Sequence, residues 1–161
     1  MDFRQEGLDV ELKQALEHVQ SLARDADVFD AVQITDGRLD CRARGCESEA
    51  YFRVEEDESQ VWVSFVTPDR WLSESIEADL EHTGDDLEEL LEEELAELGV
   101  EAEMNYQHYR SEDRLFTFRT PIPLQIRGEA RTAAELAAKY LLAYEACFRE
   151  LGDVAGASEE K

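Results

Sequence analysis

The chain has 161 residues, 43% apolar and 9% aromatic, with forty Asp/Glu against sixteen Lys/Arg for a formal net charge of −24. It is too rich in core-forming residues for a disordered acidic chain, and its charge repels nucleic-acid phosphates and anionic headgroups, so neither nucleic acid nor membrane is expected as a partner. No apolar run approaches the ~18 residues of a bilayer span, and Met1-Asp2-Phe3-Arg4-Gln5-Glu6 has neither the basic start nor the apolar stretch of a signal peptide, so a cytoplasmic location is expected.

Leu8 to about Asp25 reads as a helix, since Leu8, Leu12, Ala15, Leu16, Val19, Leu22 and Ala23 recur at helical spacing. From Val28 the period changes to two. Segments at about 28–35, 38–44, 49–56 and 60–67 read as an antiparallel meander. Asp36-Gly37 marks the first turn, because glycine accepts the positive φ of a tight hairpin. Arg44-Gly45 and Glu56-Asp57-Glu58-Ser59 mark the next two.

Thr67-Pro68-Asp69 opens a helical region, with Thr67 expected as the cap and Pro68 at the first position. Thr83-Gly84-Asp85 interrupts it. Leu87, Leu90, Leu91, Leu95 and Leu98 then form one stripe up to Gly99, with glutamates opposite. Residues 101–109 and 113–120 are expected as a second hairpin, ended by Pro121 and Pro123. Thr132-Ala133-Ala134-Glu135 has the form of a capping box. From it runs an amphipathic helix along Ala137, Tyr140, Leu141, Tyr144, Phe148 and Leu151, closed by Gly152. One α+β domain over residues 8–151 is expected, with an extension at 1–7 and a flexible acidic tail at 152–161.

Between Trp71 and Tyr109 lie fourteen Asp/Glu and no Lys or Arg. The chain as a whole has thirteen Arg and only Lys13, Lys139 and Lys161. Two explanations fit: a fold adapted to a salt-loaded cytoplasm, where ionic strength screens self-repulsion, or an acidic surface that serves a partner or solubility.

Chemistry finds little foothold. His18, His82 and His108 are scattered, and none neighbours a nucleophile. Cys41, Cys46 and Cys147 fit neither a disulfide framework nor a zinc site. There is no glycine-rich phosphate loop, and pairs such as Asp85/Asp86 and Glu92/Glu93 lack the alternating ligands of a calcium loop. No catalytic residue, cofactor or metal is expected.

The order helix, meander, helix, hairpin, helix, with Leu115-Phe116-Thr117-Phe118 running into Pro121-Ile122-Pro123-Leu124 and a final amphipathic helix, resembles the YbjN family and the related type III secretion chaperones. The resemblance spans about residues 8–151 and implies an antiparallel sheet covered by helices, often dimeric, without an active site. The chaperones of that group bind an extended segment of a partner protein. This chain departs from the pattern in having four strands before the middle helix where three are usual, and in a long acidic middle region.

If Phe52, Val54, Val61, Val63, Phe65, Phe116 and Phe118 face the helices, the period of two sends Tyr51, Trp62, Val66 and Leu115 to the other side, beside Arg53, Thr117 and Arg119. Trp, Tyr and Arg are favoured interface anchors. Tyr51, Arg53, Trp62, Leu115 and Arg119, together with Trp71, are therefore the expected contacts for a second subunit or a peptide; the alternative is that a helix covers this face too. The expectation is a non-enzymatic adaptor or chaperone-like regulatory domain that binds a polypeptide and homodimerises. An enzyme built from scattered carboxylates and histidines, and a structural subunit of an assembly, are the alternatives.

Overall fold

A computed structural model describes residues 3–46, 49–57, 60–84, 86–102, 104–112, 114–123, 130–152 and 154, the side chains of 3–12 and 130–132 excepted. Helix α1 (Phe3–Ala26) precedes a meander of β1 (Phe29–Thr35), β2 (Arg38–Ala43), β3 (Tyr51–Asp57) and β4 (Gln60–Thr67). Helices α2 (Arg70–Thr83) and α3 (Leu87–Glu97), the short hairpin β5 (Gln107–Arg110) and β6 (Phe116–Ile122), and α4 (Ala130–Phe148) follow. This is the α+β class expected, with an antiparallel sheet in the order β1-β2-β3-β4-β6-β5. β6 therefore docks between the end of the meander and its own hairpin partner.

Local chemistry sets the turns. Asp36 and Gly37 hold φ of 53° and 76°, the two positive values that let a two-residue turn follow the strand twist. The four-strand meander is as expected. The core lies on one side of the sheet, where Leu39, Cys41, Phe52, Val54, Val63, Phe65 and Phe118 meet Leu16, Val19 and Ala23 of α1 and Leu141, Tyr144 and Phe148 of α4. Phe148 is its hub, stacked on Phe65 and Tyr144 with centroids 4.9 and 5.2 Å apart and edge-on to Phe118. Leu72 and Ile76 of α2 and Leu87, Leu91 and Leu95 of α3 complete it.

Several boundaries differ from expectation for identifiable reasons. α1 starts at Phe3, so residues 3–7 continue the helix instead of preceding it; Arg4, Gln5 and Glu6 are good helix formers. The cap of α2 is Asp69, whose carboxylate accepts from the Trp71 amide at 3.0 Å. Thr67 is still in β4, opposite Phe116, and its hydroxyl donates to the Glu49 carbonyl at 2.7 Å. α4 starts at Ala130, which puts Thr132 inside the helix and not at its cap; its side chain lies outside the described residues.

Strand β5 begins at Gln107, not near 101. Upstream, the Met104 amide donates to the Glu92 carboxylate of α3 at 3.0 Å, and the Met104 side chain is buried, so this stretch is committed to the helical layer. β5 reaches along β6 only to Arg119, so Pro121 remains in β6 opposite Trp62, where its missing N–H costs no bond to β5. The chain does not loosen at Gly152 either. The Gly152 amide donates to Asp79 of α2 at 2.9 Å and Val154 is buried; residues 153 and 155–161 lie outside the described residues. Among the described residues, no helix is long and apolar enough to cross a membrane.

Candidate functional site

All four helices contribute to the one core, and the register fixes what faces away from it. Three rows of side chains cross the outer face of the sheet. The first pairs Ala31 with Arg42, Arg42 with Tyr51, Tyr51 with Val66, Val66 with Thr117, and Thr117 with Tyr109. The second runs through Gln33, Asp40, Arg53, Ser64, Arg119 and Gln107, one polar residue from each strand. In the third, Glu55 pairs with Trp62 and Trp62 with Pro121. Val66 is buried yet stands outside the main core cluster, as a residue on the far face must.

The polar row is held by charge. Asp40 accepts from Nε of Arg53 at 2.7 Å and from Nε of Arg38 at 3.3 Å, with the Asp40 and Arg53 side chains only 15% and 10% exposed. A pair this dry stays together because removing either partner strands the other charge out of water. Glu55, on the same face, has its carboxyl pushed above the usual range by burial, against the opposing pull of Arg53 and Arg38. Arg119 lays its guanidinium over the Trp62 ring, 3.7 Å from the centroid, and its Nη1 and Nε donate to Asp57 and Gln107 at 3.2 and 3.0 Å. The same guanidinium is 5.3 Å from the Tyr109 ring. Beneath this layer, Ser64 Oγ and Trp62 Nε1 are buried without a hydrogen-bond partner among the described residues.

Between β1 and β3 the face is concave. A cleft of about 460 Å³ is lined by Arg38, Asp40, Arg42, Tyr51 and Arg53, with Ala31, Gln33 and Thr35 of β1. Of the expected contacts, Tyr51, Arg53, Trp62 and Arg119 therefore stand together on one sheet face. Leu115 is half-buried in the turn before β6. Trp71, 78% exposed, is on α2, which packs on the helical side, so it does not join them. Phe116 is on that side as well, between the guanidiniums of Arg70 and Arg110 at 5.9 and 5.7 Å. Sequence reasoning missed Arg38, Asp40, Arg42 and Ser64. The signal was present in Arg38-Leu39-Asp40-Cys41-Arg42, where charge alternates with apolar residues at the strand period.

The sheet's own edge is partly occupied. On edge strand β1 the Val32 carbonyl accepts from Gln20 and Arg24 of α1 at 3.4 and 3.1 Å, the Phe29 carbonyl accepts from Arg44 at 3.1 Å, and the register shifts between Phe29 and Ala31. Such plugs and bulges discourage addition of a further strand.

On the helical side, His108 stacks on Phe118 with centroids 3.8 Å apart, its Nε2 against the Glu77 carboxylate and its Nδ1 3.1 Å from the Thr117 carbonyl. No nucleophile joins it in these contacts. A smaller cavity of about 170 Å³ between α2, α3 and α4 is lined by Asp79, Glu93, Glu94, Glu150 and Cys147. The Cys147 thiol is pushed up to about 12 by burial and by the nearby Glu94, Glu150 and Glu93, so it stays protonated and unreactive near neutral pH. Among the described residues, no three His, Cys, Asp or Glu side chains come together as metal ligands. The chain matches no protein-family model, no curated protein and no solved structure.

Proposed function

We propose that this protein is a non-enzymatic adaptor or chaperone-like regulatory domain that docks a polypeptide segment on the outer face of its sheet and homodimerises, acting in the cytoplasm. The observation that carries this reading is the Trp62–Arg119–Tyr109 stack beside Arg53 and Tyr51, on a face where no described helix packs. Trp, Tyr and Arg side chains held rigid by one another, here with Tyr109 exposed and Trp62 and Arg119 half-buried, are what binding surfaces use for anchors, since little side-chain entropy remains to be lost on docking. The resemblance in element order to the YbjN family and the type III secretion chaperones supports the same reading, as does the charge, which disfavours nucleic acid and anionic membranes.

The test has two arms. A display library of random extended peptides is panned on the wild type and on Trp62→Ser, with folding of both checked by circular dichroism. Peptides selected by the wild type and lost on Trp62→Ser are the expected result; no selection, or the same peptides on both, overturns the docking face. Light scattering coupled to gel filtration, in low and molar salt, reads the oligomer. A dimer is expected, and a monomer in every condition removes the homodimer from the reading.

A further inference from the structure

We infer that the docking face is selective for acidic segments: the cleft between β1 and β3, continued by the polar row over β4, seats the side-chain carboxylates of an extended stretch of a partner protein. The inference rests on the docking reading above and adds the chemistry of what docks.

Charge carries the first step. In a chain of net charge −24 the outer face gathers Arg38, Arg42, Arg53 and Arg119 against Asp40, Glu55 and Asp57. Three guanidiniums line the cleft beside one carboxylate, Asp40, which pairs with two of them, Arg38 and Arg53. Asp40 takes only the Nε of Arg38 and the Nε of Arg53, and Arg42 has only the Tyr51 ring, 5.8 Å away, as its described side-chain contact. The forked terminal nitrogens of all three make no hydrogen bond among the described residues, and a guanidinium fork matches a carboxylate. Asp40 acts as a positioning residue that holds two of the forks in the cleft wall.

Hydrogen bonding supplies the second, independent step. Ser64, 1% exposed, lies between Arg53 and Arg119 in the register, and its hydroxyl has no partner among the described residues. Trp62, two residues before it on the same face, has a buried indole N–H that likewise has none among the described residues. An indole N–H can only donate, so what is missing beside it is an acceptor. Strands stand ~4.8 Å apart, which places Arg53 and Arg119 about 10 Å from each other across β4. An extended chain repeats its side chains on one face every ~6.8 Å. Neighbouring acidic side chains can therefore reach the cleft and the Ser64–Arg119 end together. The acidic helices of the same protein repel such a segment everywhere else, so the arginine face also fixes where it lies.

The probe is an acetylated, amidated eight-residue peptide of alternating Glu and Val, compared with its Gln counterpart and with a Gln peptide bearing a free C-terminal carboxylate. Binding is followed at about 0.1 M KCl, where charge acts over ~10 Å. The readout is the emission of Trp62 in a Trp71→Phe background, which leaves Trp62 as the only indole. The Glu peptide is expected to bind at least about tenfold more tightly than either Gln peptide, as charge-assisted bonds should. Arg42→Gln and Ser64→Ala should each weaken the Glu peptide several-fold without lowering the melting temperature, Ser64→Ala because it deletes a hydroxyl that bonds nothing among the described residues. Equal binding of Glu and Gln peptides overturns the carboxylate seat while leaving the docking face in place, and so does a preference for the free C-terminus. Binding of neither peptide overturns both readings. Self-association of the protein that Arg42→Gln abolishes would assign the cleft to a second copy and overturn the inference as stated.

Discussion

Thr120 on β6 and Tyr144 on α4 join their hydroxyls at 2.6 Å in the buried layer between sheet and helix, with both residues at most 1% exposed. The contact ties the last strand, which supplies Arg119 to the outer face, to the helix that carries the core. Burial drives the Tyr144 phenol far above its usual range, against the opposing effect of the Thr120 bond, so the ring stays neutral at any ordinary pH.

That bond gives the first prediction. Tyr144→Phe leaves the Thr120 hydroxyl buried and unpaired and should cost about 1–3 kcal/mol in urea unfolding. Thr120→Val made on top of it removes the stranded group and should recover part of the loss, so the two substitutions together are less than additive. Additive losses would mean that the hydroxyls do not depend on each other.

Gly152 makes a sharper case. Its φ is 53°, and a Cβ there would stand 2.5 Å from Ser75 Oγ and 2.7 Å from the backbone nitrogen of Ile76. The residue is where the chain after α4 lies against α2. Gly152→Ala should therefore lower stability by more than the ~1 kcal/mol of a left-handed Ala alone, because backbone as well as side chain is in the way. A melting temperature within a degree of wild type would show that α2 and the end of α4 are not packed as described.

Glu145 sets a pH signature. It is 7% exposed on α4, and burial raises its carboxyl above the ordinary value despite the Arg149 guanidinium 2.7 Å away, which pulls the other way. A carboxyl whose folded value lies above its unfolded one binds protons more readily in the folded state. Its contribution to stability is then fully present below the unfolded value of about 4.3 and is lost as pH rises through the folded value. Glu145→Gln should remove that slope, so the gap in stability between the variant and wild type should move in the variant's favour as pH climbs out of the acid range. Urea midpoints at several pH values read this directly, and parallel curves would contradict it.

What could be read from the sequence was what local chemistry decides. Asp36-Gly37, the period-two strands and the Leu87–Leu98 stripe need no knowledge of distant residues, and each is where the chain placed it. Positions that depend on distant partners were read less well. Whether Pro121 ends the sheet depends on how far β5 runs along β6, and that depends on Met104 being held by Glu92 of α3. Alternation within each strand placed Arg53, Trp62 and Arg119 on one face. Only the order β3-β4-β6 sets Ser64 between two arginines, because Arg119 of β6 is far downstream of Ser64 and its register is fixed by the tertiary structure. Trp71 is exposed as an interface anchor would be, but its helix packs on the other side of the sheet.

The acidic helices make the last prediction. On α3, Glu89 and Glu93 stand one turn apart and both are exposed, while Leu87, Leu91 and Leu95 behind them are fully buried. Like charges four residues apart cost a few tenths of a kcal/mol per pair in dilute buffer, and the net charge of −24 adds long-range repulsion to it. Raising KCl from about 0.01 M to about 1 M shortens the screening length from ~30 Å to ~3 Å and should relieve most of this. Each kcal/mol regained lifts the melting temperature by about 2–4 °C at this size, so a rise of several degrees is expected. Salt also acts on apolar burial, so the control is Glu89→Gln with Glu93→Gln. If repulsion is the cause, that variant melts above wild type in low salt and the difference closes in molar salt. A difference that persists at every salt concentration would assign the gain to helix propensity, and a wild-type melting temperature flat across the range would rule out adaptation of this surface to a salty cytoplasm.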